Sequence, residues 1–247
     1  MAPTVYLVSG ANRGIGLALV TQLVGREDTV IFAGTRSPSA AKDLEALKSK
    51  YPGKVHIVKL TSGSKTDNDA AVATIKAIAG RLDIVIANAG VSSSYDNSDD
   101  VSLDALREHF EINVVGRLAL FQAAYPLLKA STENPKFVNI SSQLGSVQIG
   151  SRIPFPTVAY GTSKAALNWL TAKLYHDHPG LIALPIHPGL VKTDMAAEAI
   201  AREPAFAHVP MIAPEESAKG ILNVVHAAIR NEDGPKLTAF DGRIIPW

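Results

Sequence analysis

Tyr160 and Lys164 stand four residues apart in the run Ala159-Tyr160-Gly161-Thr162-Ser163-Lys164-Ala165. On a helix that spacing puts both side chains on one face, with Cβ atoms about 5–6 Å apart. An ammonium beside a phenol favours the phenolate and is expected to lower the tyrosine pKa from its usual value of about 10. A tyrosine tuned that way can pass a proton to or from a carbonyl oxygen. The pair alone is a common spacing. Its meaning comes from its company: Ser142 and Asn113 lie upstream, and the chain opens with a strand, a glycine-rich turn and a helix.

That turn is Ser9-Gly10-Ala11-Asn12-Arg13-Gly14-Ile15-Gly16. Glycines there permit a tight turn and let backbone amides approach a pyrophosphate at a helix N-terminus. The residue after the second strand selects between nicotinamide cofactors. An acid accepts from the ribose 2′-hydroxyl, whereas an arginine pairs with a 2′-phosphate. Here the chain reads Ala33-Gly34-Thr35-Arg36-Ser37, and Arg13 in the glycine turn is a second cation on the same side. Two cations and no carboxylate favour NADP(H). The plainer alternative is that both arginines are solvated surface charges. Asn88-Ala89-Gly90 follows the fourth strand, where it lines a cofactor or merely makes a turn. Ser142 ends the fifth strand, where ligands collect in such sheets.

These residues need a frame. Short, β-branched apolar runs cover 4–9, 29–34, 54–60, 82–87, 136–141, 181–187 and 236–240. Such runs mark parallel strands covered on both faces. Between them lie helix-length segments over 14–25, 40–50, 66–81, 103–129, 158–176 and 214–231. Strand alternating with helix predicts a doubly wound α/β fold with a mainly parallel, seven-stranded sheet. Pro126 is expected to kink or end the helix over 103–129. No repeat or linker divides the chain, so residues 1–247 read as one domain. The segment 196–213, with Pro204 and Pro210, shows weak periodicity and follows a strand end, where a substrate lid is expected.

Composition excludes several classes. Hydrophobic content of 47% and charged content of 19% belong to a globular chain with a sizeable core. A formal net charge of +1 argues against a nucleic-acid or membrane partner bound by charge. There is no cysteine, hence no thiolate metal site and no cysteine nucleophile. Neither a signal peptide nor a spanning segment is evident, and a cytoplasmic protein is expected. Some patterns are decoys. Ser62-Gly63-Ser64-Lys65 reads as a loop, and His176-Asp177-His178 as a helix C-terminus and not a metal site. Asn139-Ile140-Ser141 is a chance match to a glycosylation acceptor. Trp169 and Leu170 read as core residues of their helix.

Together these residues resemble the short-chain dehydrogenase/reductase superfamily over essentially the full chain. The resemblance rests on Gly10-x-x-x-Gly14-x-Gly16, Asn88-Ala89-Gly90, Asn113, Ser142, Tyr160-x-x-x-Lys164 and Pro188-Gly189-x-Val191-x-Thr193. Within it, Gly10-Ala11-Asn12-Arg13-Gly14, Ser141-Ser142-Gln143-Leu144-Gly145-Ser146, His187 to Met195 and the ending Asp241 to Trp247 look most like carbonyl reductases of the sniffer and C-factor type and fungal norsolorinic-acid-type ketoreductases.

The resemblance implies a Rossmann fold and a set of roles. Tyr160 would be the general acid in reduction. Lys164 would lower its pKa and hold the nicotinamide ribose. Ser142 would hydrogen-bond the substrate oxygen, and Asn113 would serve a proton relay. Cofactor contacts would fall to Gly10, Asn12, Arg13, Gly14, Ile15, Gly16, Arg36, Leu60, Thr61, Asn88, Ala89, Gly90, Tyr160, Lys164, Pro188, Gly189, Val191 and Thr193. A homodimer or homotetramer would form through the helices over 103–129 and 158–176.

This sequence departs from the family where Leu60-Thr61-Ser62 replaces the usual adenine-contacting aspartate. Ala87-Asn88 also stands where two asparagines are usual, and the stretch from Ser142 to Tyr160 is long and apolar. That stretch, 144–157, reads as a flap over the substrate, with Leu144, Ile149 and Phe155 lining the pocket. Met195 joins them from a lid over 194–213. The expected activity is NADPH-dependent reduction of a bulky or hydrophobic ketone or aldehyde. Its rivals are an alcohol dehydrogenase working mainly in oxidation and a non-catalytic NADP(H) sensor. A metal is not expected.

Overall fold

The computed structural model describes residues 2–247. Strands β1 (Thr4–Ser9), β2 (Thr29–Thr35), β3 (Val55–Lys59), β4 (Ile84–Ala87), β5 (Lys136–Ile140), β6 (Ile182–His187), β7 (Leu237–Ala239) and β8 (Ile244–Ile245) form one sheet in the order β3-β2-β1-β4-β5-β6-β7-β8. All neighbours run parallel except β7 and β8. The sheet therefore has eight strands where the sequence predicts seven. The eighth is two residues long and turns back through Gly242, whose φ of +88° suits glycine. A run that short carries no period to read.

The helices are α1 (Gly14–Val24), α2 (Lys42–Lys50), α3 (Lys65–Ala79), α4 (Leu103–Phe110), α5 (Gly116–Ser131), α6 (Val158–Asp177), α7 (Asp194–Arg202) and α8 (Pro214–Ala227). They cover both faces of the sheet. Tyr6 and Val8 of β1 pack with Leu19 and Leu23 of α1 and Ile221 and Val225 of α8. Val5 and Leu7 point the other way, onto Ile75 of α3, Leu120 and Leu128 of α5 and Leu174 of α6. Alternation along one strand thus feeds two cores. Strand order reverses between β2 and β4 around β1, which opens a crevice at the carboxyl ends of these strands.

Four expectations need correction. The segment 103–129 is not one helix: a π-helical turn over Glu111–Val115 separates α4 from α5 and carries Asn113. A π-turn inserts a single residue into a run that stays helical on both sides, so the apolar pattern reads as one helix. Pro126 does not end α5, which runs on to Ser131; the ring sits inside the helix and removes one backbone donor. The weakly periodic segment after β6 contains a regular helix, α7, with Thr193 as its N-cap and Ala196 and Ala199 buried. Small apolar residues there gave a faint stripe. Trp169 is not core: it is 68% exposed on α6, whereas Leu170 packs against the interior.

Candidate active site

The glycine turn closes against the end of β4. Gly10 and Gly14 have φ of +63° and +53°. A Cβ at Gly16 would lie 2.1 Å from the Gly10 carbonyl oxygen, and one at Gly10 would lie 2.8 Å from Ala89 Cα. No other residue type fits either place. Asn88 Nδ2 donates to the Ser9 and Gly10 carbonyls, both at 3.1 Å. Ser9 Oγ in turn accepts from the Asn88 and Ala89 amides at 2.9 and 3.0 Å. The two motifs are thus one hydrogen-bonded unit. Asn12, Gly14 and Ile15 are half-buried on its open side. Gly189, at φ +83°, passes close to Phe240, and Val191 forms a short parallel bridge with Ile212 that pins the base of the 194–213 segment.

Arg36 is exposed at the end of β2 and forms no ion pair among the described residues. Arg13 is not its free companion. Its Nη1 donates to Asp194 Oδ2 at 2.8 Å, joining the glycine turn to the first residue of α7. Leu60 is buried under Gly34, and Thr61 hydrogen-bonds the Asp67 carboxylate. That bond and Lys59 hold Asp67 below the usual carboxylate range, so Thr61 already has a partner.

Tyr160 and Lys164 do share one face of α6, with Lys164 Nζ 5.3 Å from the Tyr160 ring centroid. Lys164 Nζ is buried and donates to the Ile140 carbonyl at 2.9 Å. Ser142 Oγ accepts from the Leu144 amide at 3.1 Å, and Ser142 and Tyr160 line the same cleft. The expected lowering of the Tyr160 pKa by Lys164 is not what the structure has. Burial dominates and pushes the phenol up to about 12, against hydrogen bonding from Ser142 and the Arg117 charge. Lys164 is itself held well below its usual value, by burial and then by Arg117. The phenol is therefore an acid at neutral pH.

Asn113 is buried in the π-turn, and its side chain is fully engaged. Oδ1 accepts from the Val91 amide, and Nδ2 donates to the Val91 carbonyl and Ser163 Oγ, each at 3.0 Å. Its side chain is a tether between the end of β4 and α6.

An apolar cleft opens above Ser142 and Tyr160. Its walls include Ile15, Tyr95, Leu144, Ile153, Phe155, His187, Pro188, Gly189, Val191, Thr193, Met195, Phe206 and Val209. Leu144, Phe155 and Met195 are thus where the sequence places them. Ile149 is not. It packs against Leu237, Ala239 and Ile245, because Ser146 caps the turn that precedes it and directs the chain away from the cleft. A second hollow of about 410 Å³ beside α8, lined by Lys219, Asn223 and Asp241, holds none of these groups.

Sequence reasoning missed several side chains. His109 hydrogen-bonds the Ala105 carbonyl at 2.7 Å, accepts from the Ser93 amide at 3.2 Å and sets its ring edge-on to Tyr160 at 6.5 Å. Phe206 stacks on Phe155 and meets Tyr95 edge-on. Arg117 lies fully buried near Tyr160 and Lys164. Only Arg117 left a trace, its spacing of four from Asn113. Of the decoys, Ser64 caps α3 and His178 caps α6. None of the described helices is long and apolar enough to cross a membrane.

Comparison with known proteins identifies the family. Residues 4–204 match the family described as short chain dehydrogenase. An uncharacterized oxidoreductase of Schizosaccharomyces pombe is 37% identical, covering 98% of each chain. A norsolorinic acid ketoreductase of Emericella nidulans is 34% identical over 99% of this chain and 94% of its own. Among solved structures, the NADPH-bound carbonyl reductase from chicken fatty liver superposes with a TM-score of 0.87 at 30% identity over all of both chains. The carbonyl reductase Sniffer of Drosophila melanogaster gives 0.85 at 27% identity, again over both full chains. The chain belongs to the short-chain dehydrogenase family of oxidoreductases.

Proposed function

We propose that this protein is an NADPH-dependent carbonyl reductase for bulky, hydrophobic ketones or aldehydes. One observation carries the reading. Ser142 and Tyr160 line the same mainly apolar cleft, which reaches Ile15 of the glycine turn. The cradle of Gly10 and Gly16, too tight for any Cβ, fits a dinucleotide backbone. Arg36 would pair with the 2′-phosphate, Val191 and Thr193 would hold the carboxamide, and Tyr160 and Lys164 would hold the ribose. The bound cofactor would supply the hydride to the carbonyl carbon. Ser142 orients the substrate oxygen and polarises it as an oxyanion donor does. Tyr160, protonated at neutral pH, gives that oxygen its proton. A phenol protonated at neutral pH is in the form that reduction needs, and a mere sensor would need neither group.

The residues over 144–157 and 194–213 close the cleft from two sides through Phe155 and Phe206. A second copy of the chain would dock on α5 and α6, where Trp169 is exposed. We place the protein in the cytoplasm. The decisive experiment follows NADPH oxidation by absorbance against aliphatic, aromatic and quinone-like carbonyls. No turnover of any of them by the native chain, or native rates from Tyr160→Phe, would refute the assignment.

A further inference from the structure

Arg117 is the most anomalous side chain in the molecule. It opens α5 just after the π-turn that carries Asn113 and is only 2% exposed. None of its three guanidinium nitrogens finds a hydrogen-bonding partner among the described residues. Burying an unpaired cation is among the most destabilising things a fold can do. A residue retained on those terms points to a task.

Its position indicates which. A Cβ built on Gly90 would meet Asn113 Oδ1 at 3.0 Å, Arg117 Nη2 at 3.5 Å and Lys164 Nζ at 3.8 Å. Three polar tips therefore converge beside Gly90, at the end of the Asn88-Ala89-Gly90 motif. Arg117 is absent from the walls of the substrate cleft, so it acts through its neighbours. We infer that Arg117 is a positioning residue of this active site: its guanidinium is the fixed positive charge behind Tyr160, and Lys164 is the amine that gains and loses its proton beside it. The inference rests on the reading of Tyr160 and Lys164 as the reacting pair.

The electrostatics agree. Arg117 acts on both Tyr160 and Lys164, while His109 of α4 and Tyr95 of the segment after β4 meet Tyr160; no carboxylate acts on either of the pair. Arg117 is the one charge acting on Lys164, and it lowers the proton affinity of that amine beyond what burial does. Burial lowers Arg117 itself to about 9, so it stays charged at neutral pH. It also favours the Tyr160 phenolate, the task first assigned to Lys164.

The test uses the full chain without cofactor. The Cε chemical shift of Lys164, assigned by comparison with Lys164→Arg, is followed by NMR against pH in the native protein and in Arg117→Met. The inference expects the Lys164 titration to move up by about one pH unit or more, a tenfold change in proton affinity. Because an unpartnered buried charge has been replaced by an apolar chain of similar length, the melting temperature should hold or rise. Should Arg117→Met fail to fold, Arg117→Gln carries the same expectation. An unchanged Lys164 titration overturns the inference and leaves Arg117 as packing. That result is separate from the proposed activity, which stands or falls with turnover by Tyr160→Phe.

Discussion

Phe155 stacks on Phe206 with ring centroids 3.9 Å apart and planes 24° from parallel. One ring comes from the stretch between Ser142 and Tyr160, the other from the turn after α7. Two segments far apart in sequence thus make one aromatic wall of the cleft, and Tyr95 braces Phe206 edge-on at 6.1 Å. Such a wall fits a flat, bulky substrate. We predict that Phe155→Ala raises KM for large aromatic ketones by about 10–200-fold, with a much smaller change for small aliphatic ones. Phe206→Ala should give the same pattern, and the double variant little more than either alone, because the pair acts as a unit. Steady-state kinetics over a size series of ketones decides this; an equal loss for every substrate would reduce the wall to simple packing. Ile149→Ala is the control and should lower the melting temperature without changing KM, since Ile149 packs on Leu237 and Ile245.

Cofactor preference should rest on Arg36 far more than on Arg13. Arg36 is free at the end of β2, while Arg13 is already engaged with Asp194 in an exposed ion pair. A charge-assisted bond to a phosphate contributes about 1.5–3 kcal/mol, or roughly tenfold or more in affinity. Arg36→Ala should therefore weaken NADPH binding at least about tenfold and leave NADH binding almost unaltered. Arg13→Ala should do less, because any phosphate must compete with Asp194 for it. Titration calorimetry with both nucleotides reads the difference. Equal affinity of the native chain for the two would contradict the assignment.

The proton donor has a signature that needs no substrate. With its phenol pushed up to about 12 by burial, Tyr160 should remain protonated to alkaline pH in the cofactor-free protein. The ultraviolet phenolate absorbance of the native chain and of Tyr160→Phe should then be indistinguishable up to about pH 10. A phenolate titrating near neutrality in the native chain alone would contradict this. In turnover, Tyr160→Phe should abolish reduction while nucleotide binding survives. Ser142→Ala should lose about 10²–10³ in rate, the usual effect of removing one oxyanion donor.

Much of this was legible in the residues because the constraint was local. Gly10, Gly14 and Gly16 are dictated by backbone angles and by a carbonyl 2.1 Å from a would-be Cβ, so the turn shows itself in the sequence. The four-residue spacing of Tyr160 and Lys164 needs only a helix. What the sequence hid depends on contacts between distant segments. Arg13 looks like a phosphate ligand until α7 brings Asp194 to it. The lowering of the Tyr160 pKa inferred from Lys164 fails because burial around the phenol outweighs a neighbour whose own charge is weakened by burial and then by Arg117. Ile149 and Phe155 are equally apolar and six residues apart, yet a turn capped by Ser146 sends one to the C-terminal strands and the other to the cleft. Hydrophobicity does not encode direction.

His187 supplies a last prediction, on stability against pH. It ends β6 at the cleft wall, and its Nδ1 is buried with no partner among the described residues. Burial, and then the charge of Arg243, hold its pKa down to about 4 from 6.5. As pH falls below 6.5 the unfolded chain takes up a proton that folded His187 refuses until about pH 4. Stability is therefore complete above that window and is lost through it, by about 2 kcal/mol between pH 6.5 and 5. His226 is lowered similarly but stands half in solvent, so its share is smaller. His187→Gln keeps a polar side chain and removes the titration. Its melting temperature should decline less between pH 7.5 and 5 than that of the native chain, measured by calorimetry in the same buffers. Parallel declines in the two proteins would place the acid sensitivity elsewhere.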